Sequence, residues 1–537
     1  MRYKCIFLNL YTNAYENRSE NLGLEKLLRA LEINNYAAKV LNIGIESYDD
    51  ISLMESVIGT IKEYEFEILG VPIFSTSIVY VDELFKRIKE WNKSVVTITG
   101  GFLATNSTRE VAEFMNYVDY LFCGSAESLI VEFCDNLDKK DYVKGMCNIA
   151  YKENKQIIIN PRNKKNVLKD LQGWADRSYL IEKNIEVVRL QTARGCTGKC
   201  AFCTEFENWI GKSPQDIVSE MRYIVETYNV NTFNIVDSSF EDPTPGCGKL
   251  RIREFCETIL KEKLDVFFTI YIRAESFDER DEDLLILMKK AGLITVFIGI
   301  ESGNDETLKL FNKRSCVSKN TRVIELMEKI GINVEIGFIM FHPYETLEQL
   351  RENLEFFKRN RYVADNISSY VNSLFVYPST VIHKKLLADN MLLEEYSIAQ
   401  PQAYKYVDSR VAKVNELMKK INSDELYALW EELQKMFNLI LKAEKYEGFI
   451  NVSDFRKGCN EVKNELIDAN LELFQKILWF AEEDIDGEEG EEIQSIIEKF
   501  SINDKKRKLH RLKFQFIKDN ILKVDLIIKR PKIQKEK

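Results

Sequence analysis

Residues 193–206 read "ARGCTGKCAFCTEF", and three of them are cysteines, Cys196, Cys200 and Cys203. A loop this short brings three sulfurs together only if it curls around one soft metal ion or cluster. Structural zinc normally requires four protein ligands, and none of the three histidines of the chain lies nearby. Iron–sulfur clusters are usually held by four cysteines, so three would leave one iron open to a substrate or cofactor. The spacing therefore favours a cluster over a zinc site or a loop without a ligand.

The cysteines lie near the start of an alternation of strands and helices that begins at Glu186. The six strand candidates read "EVVRLQTA", "TFNIVDSS", "DVFFTIYIR", "TVFIGIES", "NVEIGFIMF" and "SSYVNSLFVYP". Each of the first five is followed by a helical stretch. Because six units are two short of a complete eight-stranded barrel, the pattern predicts a partial (β/α)6 barrel over residues 187–402. The cysteine loop follows its first strand, at the end where barrel enzymes collect their catalytic loops.

A similar alternation fills residues 1–135. Five short β-branched runs separated by amphipathic segments predict an α/β domain with a Rossmann-like, doubly wound parallel sheet. Such sheets bind ligands in the loops beyond the carboxyl ends of their strands. The candidate ligand-binding residues in those loops are Ser75, Thr76, Ser77, Gly100, Gly101, Gly124 and Glu127.

The remaining ranges lack this alternation. Residues 136–186 are polar and irregular, and we interpret them as a linker with a small hairpin. Residues 403–537 predict a helical C-terminal region. Its last stretch, "KKRKLHRLKFQFIKDNILKVDLIIKR", alternates basic and apolar residues around Asp519 and Asn520 and fits a terminal β-hairpin. The basic face of that hairpin could contact a phosphate or an acidic peptide, and a solvated edge is the alternative.

The composition is that of a globular protein, with 45% hydrophobic and 30% charged residues. The net charge of -10 disfavours nucleic acid and anionic membranes as main partners. No apolar run reaches the roughly 18 residues of a membrane span, and the apolar core of the N-terminal stretch is too short for a signal peptide. Eleven cysteines without an export signal indicate reduced thiols. We therefore expect a cytoplasmic protein.

The motif Cys196-x-x-x-Cys200-x-Phe202-Cys203 resembles the signature CxxxCx(aromatic)C of the radical S-adenosylmethionine (SAM) superfamily. The resemblance implies a four-iron four-sulfur cluster held by the three cysteines, with SAM bound to the open iron. It also implies that Phe202 lies against the adenine of SAM. One electron from the cluster would then cleave SAM to methionine and a 5'-deoxyadenosyl radical, which abstracts hydrogen from a substrate.

Other strand ends are similar to the same superfamily. The segment "GIESG", with Glu301 and Ser302, resembles the fourth-strand motif near the amino-acid and ribose parts of SAM. Arg314 resembles a basic residue that faces the SAM carboxylate, and a free surface arginine is the alternative. The remaining cofactor-binding candidates at strand ends are Asp237, Ser238 and Arg273. Helix capping or a rim salt bridge is the alternative role for such residues.

The fifth strand, "GFIMFHPYET", resembles the superfamily's "GFIxGxPGET". Phe341 and Tyr344 replace glycines of that pattern, so the close approach of the backbone to adenine must be made differently. His342 and Tyr344 are the catalytic candidates, with His342 as a proton donor or substrate contact. A buried, hydrogen-bonded histidine is the alternative.

A Rossmann-like domain ahead of such a barrel resembles the cobalamin-binding (B12-type) radical SAM class, and the similarity covers residues 1 to about 400. The segments "ITGGFLAT" and "FCGSAESL" are similar to "GGxHAT" and "GEGE" in that class. The first domain has no Asp-x-His-x-x-Gly motif and no histidine at all, so it cannot supply a histidine as the lower ligand of cobalt. Members with and without cobalamin exist, which leaves cobalamin open as a third cofactor.

With cobalamin, the resemblance implies a methyltransferase that acts on a carbon of a small natural product or a peptide. Without cobalamin, the same radical could drive a rearrangement, an oxidation or a cyclisation. From another class, an iron–sulfur sensor that binds SAM without turnover is the alternative. The expected partners are a small-molecule or peptide substrate and a reducing electron donor of the flavodoxin or ferredoxin type.

Overall fold

The computed structural model describes residues 2–12, 20–49, 52–163, 165, 167–178, 185–205, 208–243, 248–378, 380–393, 397–400, 402–421, 423–446, 450–483, 495, 498 and 500–520. The chain divides into two compact units. The first comprises Met1–Ile185, Tyr377–Ser379 and Glu394–Ala403, and the second comprises Glu186–Val376, Thr380–Leu393 and Tyr404–Lys537.

Within the described residues, the first unit is built on a seven-stranded sheet whose first five strands are parallel. Its strands are β1 (Arg2–Thr12), β2 (Ala38–Ile45), β3 (Glu65–Pro72), β4 (Val96–Gly100), β5 (Tyr120–Phe122), β6 (Ile149–Glu153) and β7 (Gln156–Ile159). The parallel strands have the order β2-β1-β3-β4-β5. This is a doubly wound order, in which ligands bind beyond the carboxyl ends of the strands. The predicted Rossmann-like sheet is confirmed.

Helices cover both faces of this sheet. Their bounds are α1 (Leu22–Glu32), α2 (Met54–Lys62), α3 (Ile78–Trp91), α4 (Phe102–Asn106), α5 (Thr108–Phe114), α6 (Glu127–Asp135), α7 (Lys140–Gly145) and α8 (Val167–Gln172). The side chains of β1 alternate between two cores, with Ile6 and Leu8 in one and Cys5 and Phe7 in the other. This alternation is the period of two that a strand buried on both faces requires.

Part of the range assigned to a linker, residues 136–186, belongs to the first sheet. The small hairpin is present as β6 and β7, and β6 pairs antiparallel with β5, with Ala150 opposite Leu121. Ile149 and Tyr151 are buried in the same core as Phe133 of α6. Burial of these apolar side chains explains why the hairpin adds to the sheet instead of standing free.

The second unit contains, in the described residues, a five-stranded parallel sheet of order β14-β13-β12-β11-β8. Its strands are β8 (Val187–Leu190), β11 (Thr232–Ile235), β12 (Phe267–Arg273), β13 (Leu293–Glu301) and β14 (Asn333–Phe338). A separate antiparallel pair is formed by β9 (Ala193–Arg194) and β10 (Ile210–Gly211). Each sheet strand lies beside the next one along the chain, as the predicted β/α series requires.

The predicted sixth strand of the barrel, "SSYVNSLFVYP", is mostly not a strand. Ser368–Val371 is helical, and pairing is limited to a parallel bridge between Phe341 and Ser373. Tyr370 is fully buried, with its ring stacked on Phe357 at 4.6 Å between centroids. This tertiary contact overrides the local preference of the sequence for a strand.

Helices alternate with the strands of the second sheet and continue beyond it. Their bounds are α9 (Pro214–Tyr228), α10 (Gly248–Lys261), α11 (Glu282–Ala291), α12 (Asp305–Leu310), α13 (Val317–Ile330), α14 (Leu347–Arg359), α15 (Ser368–Val371), α16 (Val381–Ala388), α17 (Ser409–Lys420), α18 (Ser423–Glu444), α19 (Ser453–Glu483) and α20 (Ile502–Asp519). At the start of α9 the Ser213 hydroxyl accepts the Asp216 amide at 3.1 Å, and Pro214 occupies the first turn. Of the helices in the described ranges, none is long and apolar enough to cross a lipid bilayer.

The C-terminal region is helical as predicted, but the terminal hairpin is not formed where the sequence suggested its first strand. Residues 502–519 are α20. Ile502, Leu509 and Phe516 recur every seven residues and are buried, and Phe516 stacks on Phe455 at 4.6 Å. A seven-residue repeat places side chains on one helical face, so packing selects the helix. The second half of the predicted hairpin, residues 521–537, lies outside the described residues.

Candidate functional site

The cysteine loop is fixed at its base and at its centre. β9 and β10 pair with Ala193 opposite Gly211 and close the loop at its base. The backbone N–H of Ala201 donates to the Phe311 carbonyl at 2.8 Å, and the Ala201 carbonyl accepts the Ile382 amide at 2.9 Å. These bonds hold the loop against the end of α12 and the start of α16. The ring of Phe202, predicted to lie against adenine, packs on Phe311 at 5.1 Å.

Two of the three cysteine sulfurs approach Gly198. A Cβ on this residue would lie 3.3 Å from the Sγ of Cys196 and 3.8 Å from the Sγ of Cys200. Backbone N–H groups donate to sulfur, from Gly198 to Cys196 at 3.3 Å and from Glu205 to Cys203 at 3.4 Å. Burial raises the pKa of the Cys200 thiol to about 11 and also raises the pKa of Cys203. The glycine leaves open a space beside sulfurs that are shielded from water.

The donor set suits an iron–sulfur cluster better than a single metal ion. The three cysteines are free thiols. In the described part of the chain, no group of three or more His, Cys, Asp or Glu side chains is arranged to hold one ion. Thiolates are the usual ligands of iron–sulfur clusters, and a cluster reaches sulfurs that are farther apart than those around one zinc ion.

Arg273, at the end of β12, connects this strand to the cysteine loop. Its guanidinium donates to Oγ1 of Thr197 in that loop at 3.1 Å. The same side chain donates from Nε to Oε1 of Glu241 at 3.1 Å and lies 3.6 Å from Oε1 of Glu275. The Oε2 atoms of both carboxylates are buried and have no hydrogen-bond partner among the residues described. Buried oxygens without partners can accept hydrogen bonds from a bound molecule.

Glu301, at the end of β13, has a left-handed backbone conformation with a φ of 68°. Such a conformation costs free energy in a residue with a Cβ and is concentrated at functional sites. Its Oε1 lies 3.3 Å from Nζ of Lys313, which also donates to the Gly299 carbonyl at 3.0 Å. Burial raises the pKa of Glu301, and Lys313 opposes this shift. Besides burial, both charges act on the pKa of the Cys200 thiol, so the pair lies close to the cysteine loop.

Three other predicted cofactor-binding residues have protein partners. Asp237 accepts the backbone N–H of Thr192 at 2.7 Å, and burial raises its pKa to about 6. Ser302 is buried and donates to a side-chain amide of α14 at 3.2 Å. Ser238 is exposed and donates to Glu205 of the cysteine loop at 2.9 Å. Asp237 therefore positions the backbone at Thr192, Ser302 is bound to α14, and Ser238 faces the cysteine loop. Contact of these three residues with SAM stays a prediction.

The two residues predicted to be catalytic are both engaged by protein groups. His342 is 1% exposed. Its Nε2 contacts the Glu345 carboxylate and lies 3.3 Å from Oγ1 of Thr307. Its Nδ1 accepts the Tyr344 amide at 3.2 Å. The Tyr344 hydroxyl donates to Asp389 at 2.6 Å, and burial together with this bond raises the pKa of Tyr344. The geometry is that of a buried, hydrogen-bonded histidine, and a catalytic role for either residue stays a prediction.

The predicted ligand loops of the first unit follow the carboxyl ends of β3, β4 and β5. Gly101 and Gly124 have φ values of 98° and 96°, and no described atom lies within 4 Å of the position their Cβ would take. The Ser77 hydroxyl accepts a backbone N–H of its own turn at 2.9 Å, and Glu127 forms an ion pair with Lys26 at 3.3 Å. The other predicted residues are Gly100, at the end of β4, and Ser75 and Thr76, in the turn before α3. The two glycines leave this edge of the sheet open to a ligand.

Two residues near the cysteine loop were missed from the sequence, Glu241 and Lys313. Lys313 reaches Glu301, whereas its neighbour Arg314, predicted to face the SAM carboxylate, is exposed. Glu241 lies four residues after Asp237 in the loop beyond β11. Charged residues in a loop after a barrel strand are a usable signal. That signal does not tell two neighbouring residues apart, because the backbone of the loop decides which side chain turns inward.

Comparison with known proteins supports this description of the second unit. Residues 190–357 match the family model described as the radical SAM superfamily. The match includes the three cysteines and the strands from β11 to β14. The predicted radical SAM domain is thus confirmed.

Relatives cover a larger part of the chain. The chain is 27% identical over 341 residues to the anaerobic magnesium-protoporphyrin IX monomethyl ester cyclase of Rubrivivax gelatinosus, a match of 59% of this chain and 60% of that protein. It is 23% identical over 344 residues to an uncharacterized methyltransferase of Pyrococcus horikoshii, a match of 62% of this chain and 72% of that protein. The chain therefore spans less than two thirds of the length of the first of these relatives.

Among solved structures, the cobalamin-dependent S-adenosylmethionine radical enzyme OxsB with aqua-cobalamin bound is similar, with a TM-score of 0.65 and 18% sequence identity. The alignment covers 96% of this chain and 84% of that chain. The likeness shows a shared fold that extends well beyond the radical SAM domain.

Proposed function

We propose that this chain, whose residues 190–357 form a radical SAM domain, is an enzyme that uses a [4Fe–4S] cluster, SAM and cobalamin to methylate an unactivated carbon. The cysteine loop carries the proposal, because it places three free thiols beyond the end of a parallel sheet with a glycine-shaped space beside two of them. Ser238, Arg273 and Glu301, from the ends of three further strands, lie around the loop.

The cluster and SAM, when bound, supply a 5'-deoxyadenosyl radical that removes hydrogen from carbon. In this proposal the three cysteines hold the cluster and Gly198 keeps the space beside their sulfurs free. Arg273 holds Thr197, and with it the loop, in place. Glu301 and Lys313 offer one negative and one positive buried charge, which suits the zwitterionic amino-acid part of SAM.

Cobalamin, when bound, supplies a carrier for the methyl group. Its assignment to the first unit is supported by the doubly wound sheet and by the open positions at Gly101 and Gly124. It is also supported by the shared fold with OxsB, whose solved structure contains aqua-cobalamin. Because all three histidines of the chain follow residue 341, no histidine of the first sheet is available as a ligand of cobalt.

The test is anaerobic purification with iron and cobalamin supplied, followed by analysis of both metals and by incubation with SAM and a low-potential reductant. We expect about four irons per chain, stoichiometric cobalt, and formation of 5'-deoxyadenosine. Cys200→Ala should lose iron and 5'-deoxyadenosine formation, while Cys316→Ala, a free thiol outside the motif, should retain both. Unchanged turnover in Cys200→Ala would contradict the proposal.

A cobalamin-independent cyclisation or oxidation is the second candidate. The relative that is named a cyclase supports the cyclisation part of this candidate, and its name does not bear on cobalamin. Iron with 5'-deoxyadenosine but without cobalt would select this candidate. SAM binding without any 5'-deoxyadenosine would instead select a sensor.

The proposal includes the surroundings of the enzyme. We infer a small natural product or a peptide as substrate, a flavodoxin- or ferredoxin-type protein as electron donor, and a cytoplasmic location. Replacement of the chemical reductant by flavodoxin and its reductase, with unchanged products, is the measurement that supports the donor.

A further inference from the structure

A cavity of 320 Å³ lies in the second unit at the edge of the sheet opposite the cysteine loop. It borders Gly331 and Asn333, at the amino end of β14, whereas the cysteines follow the carboxyl end of β8. In a parallel sheet the amino ends of all strands lie on one side and the carboxyl ends lie on the opposite side. The volume falls within the range of small-molecule sites, about 300 to 1,000 Å³. The cavity is therefore separate from the proposed active site.

Three cationic side chains contribute to the wall of this cavity. Arg361, Arg456 and Lys463 line it, against Glu328 as the one acidic residue of the lining. Carboxylates outside the lining lie beside all three cations, Asp468 at Arg361, Glu444 at Arg456 and Asp365 at Lys463. The cavity therefore offers an anion hydrogen-bond donors and not a net positive charge.

Lys463 is the most buried of these cations, with 7% of its surface exposed. Its Nζ donates to the Tyr362 carbonyl at 2.8 Å and lies 4.4 Å from the centre of the Tyr362 ring. The Asp365 carboxylate is 3.8 Å away, at the outer limit of an ion pair. Since an ammonium group has three donors, one strong bond and one long ion pair leave donor capacity for a ligand.

The two arginines have partners outside the lining. Arg361 pairs with Asp468 at 2.8 Å, and the two side chains are 44% and 67% exposed. Exposed ion pairs contribute little to stability, so Arg361 can exchange this partner for a ligand at little cost. Arg456 forms an ion pair with Glu444.

The rest of the lining provides neutral polar and apolar surface. Asn460 and Asn464 lie one turn apart on α19, and neither side chain has a hydrogen-bond partner in the described part of the chain. Phe437, Leu441 and Ile467 provide apolar surface beside them. A site of this kind combines a few polar contacts with apolar contact area.

We propose that this cavity binds a small organic oxyanion, a molecule with a phosphate or carboxylate group and an apolar or ring portion. The oxyanion contacts Lys463 and Arg361, and the amides of Asn460 and Asn464 contact its other polar atoms. The lining joins α19 to the start of β14, so binding strengthens the contact between the C-terminal helices and the sheet. The inference concerns a second site and does not depend on the chemistry at the cysteine loop.

The test is calorimetric titration of the full chain with inorganic phosphate and with acetate, in chloride at constant ionic strength. We expect saturable binding of at least one of the two ions, and a loss of about tenfold in affinity in Arg361→Gln. Arg410→Gln, an exposed arginine that pairs with Asp408 outside the cavity, is the matched control and should bind as the wild type does. Tighter binding of phosphate or of acetate identifies which oxyanion the site takes.

Lys463→Met is the second variant and should abolish binding, with its fold checked by circular dichroism. Arg361→Gln changes an exposed side chain and keeps the test valid if Lys463→Met does not fold. Absence of binding to the wild type overturns the proposal. Equal affinity of the wild type and Arg361→Gln overturns it as well.

Discussion

Gly198 and its neighbours show how single residues shape the cysteine loop. The three cysteines were found from the sequence because the spacing of thiols in a short loop is a local property. The need for a glycine beside two sulfurs is visible only in three dimensions, where a Cβ would lie 3.3 Å from Cys196 Sγ. The same holds for Lys313, which turns to Glu301 while Arg314 is exposed.

Gly198→Ala should lower the iron content of the reconstituted protein, because the added methyl group occupies the space beside the Cys196 and Cys200 sulfurs. We expect a drop of severalfold, with an unchanged circular dichroism spectrum. The control is Gly59→Ala in α2, where no described atom lies within 4 Å of the new Cβ and alanine favours the helix by about 1 kcal/mol. Full iron loading of Gly198→Ala would contradict this account of the loop.

Arg273→Gln should weaken cluster binding, because it releases Thr197 and leaves the buried carboxylates of Glu241 and Glu275 without their cation. Removing one partner of a buried ion pair costs about 3 to 5 kcal/mol. We expect lower iron content and an altered electron paramagnetic resonance spectrum of the reduced cluster, with partial recovery in Arg273→Lys. Arg280→Gln, an arginine 87% exposed, is the control. An unchanged spectrum in Arg273→Gln would show that Arg273 does not hold the loop.

At the scale of elements, α18 crosses the amino ends of the second sheet and binds three of its strands through side chains. Asn438 pairs with Thr295 of β13 at 2.8 Å, and Gln434 accepts from Asn333 of β14 at 2.7 Å. Lys442 donates to a threonine of β11 at 2.6 Å. This polar layer closes the end of the sheet that lies opposite the cysteine loop. Buried polar groups of this kind must find partners, which fixes the position of the helix.

Glu335 of β14 makes the stability of this region depend on pH. Burial, with Asp365 and Glu431 nearby, raises its pKa from 4.5 to about 7. Between these values the unfolded chain has lost the proton and the folded protein has kept it, so stability falls as pH rises from about 4.5 to 7. We expect the urea midpoint of the wild type to fall over that range, and Glu335→Gln to remove a dependence of at most about 3 kcal/mol.

The exposed Glu279→Gln is the control for this prediction and should keep the pH dependence of the wild type. If Glu335→Gln and the wild type respond equally to pH, Glu335 titrates normally and the prediction is wrong.

The elements themselves were predicted well where hydrophobic period and length agree, as in β11 to β14 and α9. They were predicted wrongly where the local pattern fits both a strand and a helix and side-chain packing decides between them. In α20 basic and apolar residues fit a strand as well as a helix, and burial of Leu509 and Phe516 selects the helix. In the sixth strand the buried ring of Tyr370 holds a helical turn.

At the scale of the whole molecule, each of the two units has its own sheet and its own loops that are predicted to bind a cofactor. The loops with Gly101 and Gly124 belong to the first unit, and the cysteine loop belongs to the second. Loading of one cofactor should therefore be separable from loading of the other.

Gly101→Val should lower the cobalt content about tenfold while iron is retained, because valine strongly disfavours a φ of 98° and fills the open position beyond β4. The control is Gly145→Val at the end of α7, where no described atom is close either and φ is not in the left-handed region. Metal analysis of both variants, purified with iron and cobalamin, is the measurement. Loss of iron together with cobalt in Gly101→Val would show that the two sites are not independent.

The sequence by itself determined the cysteine motif, the two α/β alternations and the helical C-terminal region, because motif spacing and hydrophobic period are carried by neighbouring residues. Only the tertiary structure decided that the hairpin of β6 and β7 joins the first sheet, that Lys313 and Glu241 stand near the cysteine loop, and that α20 is a helix. These outcomes depend on contacts between residues far apart in the chain, whose burial and charge a local pattern does not contain.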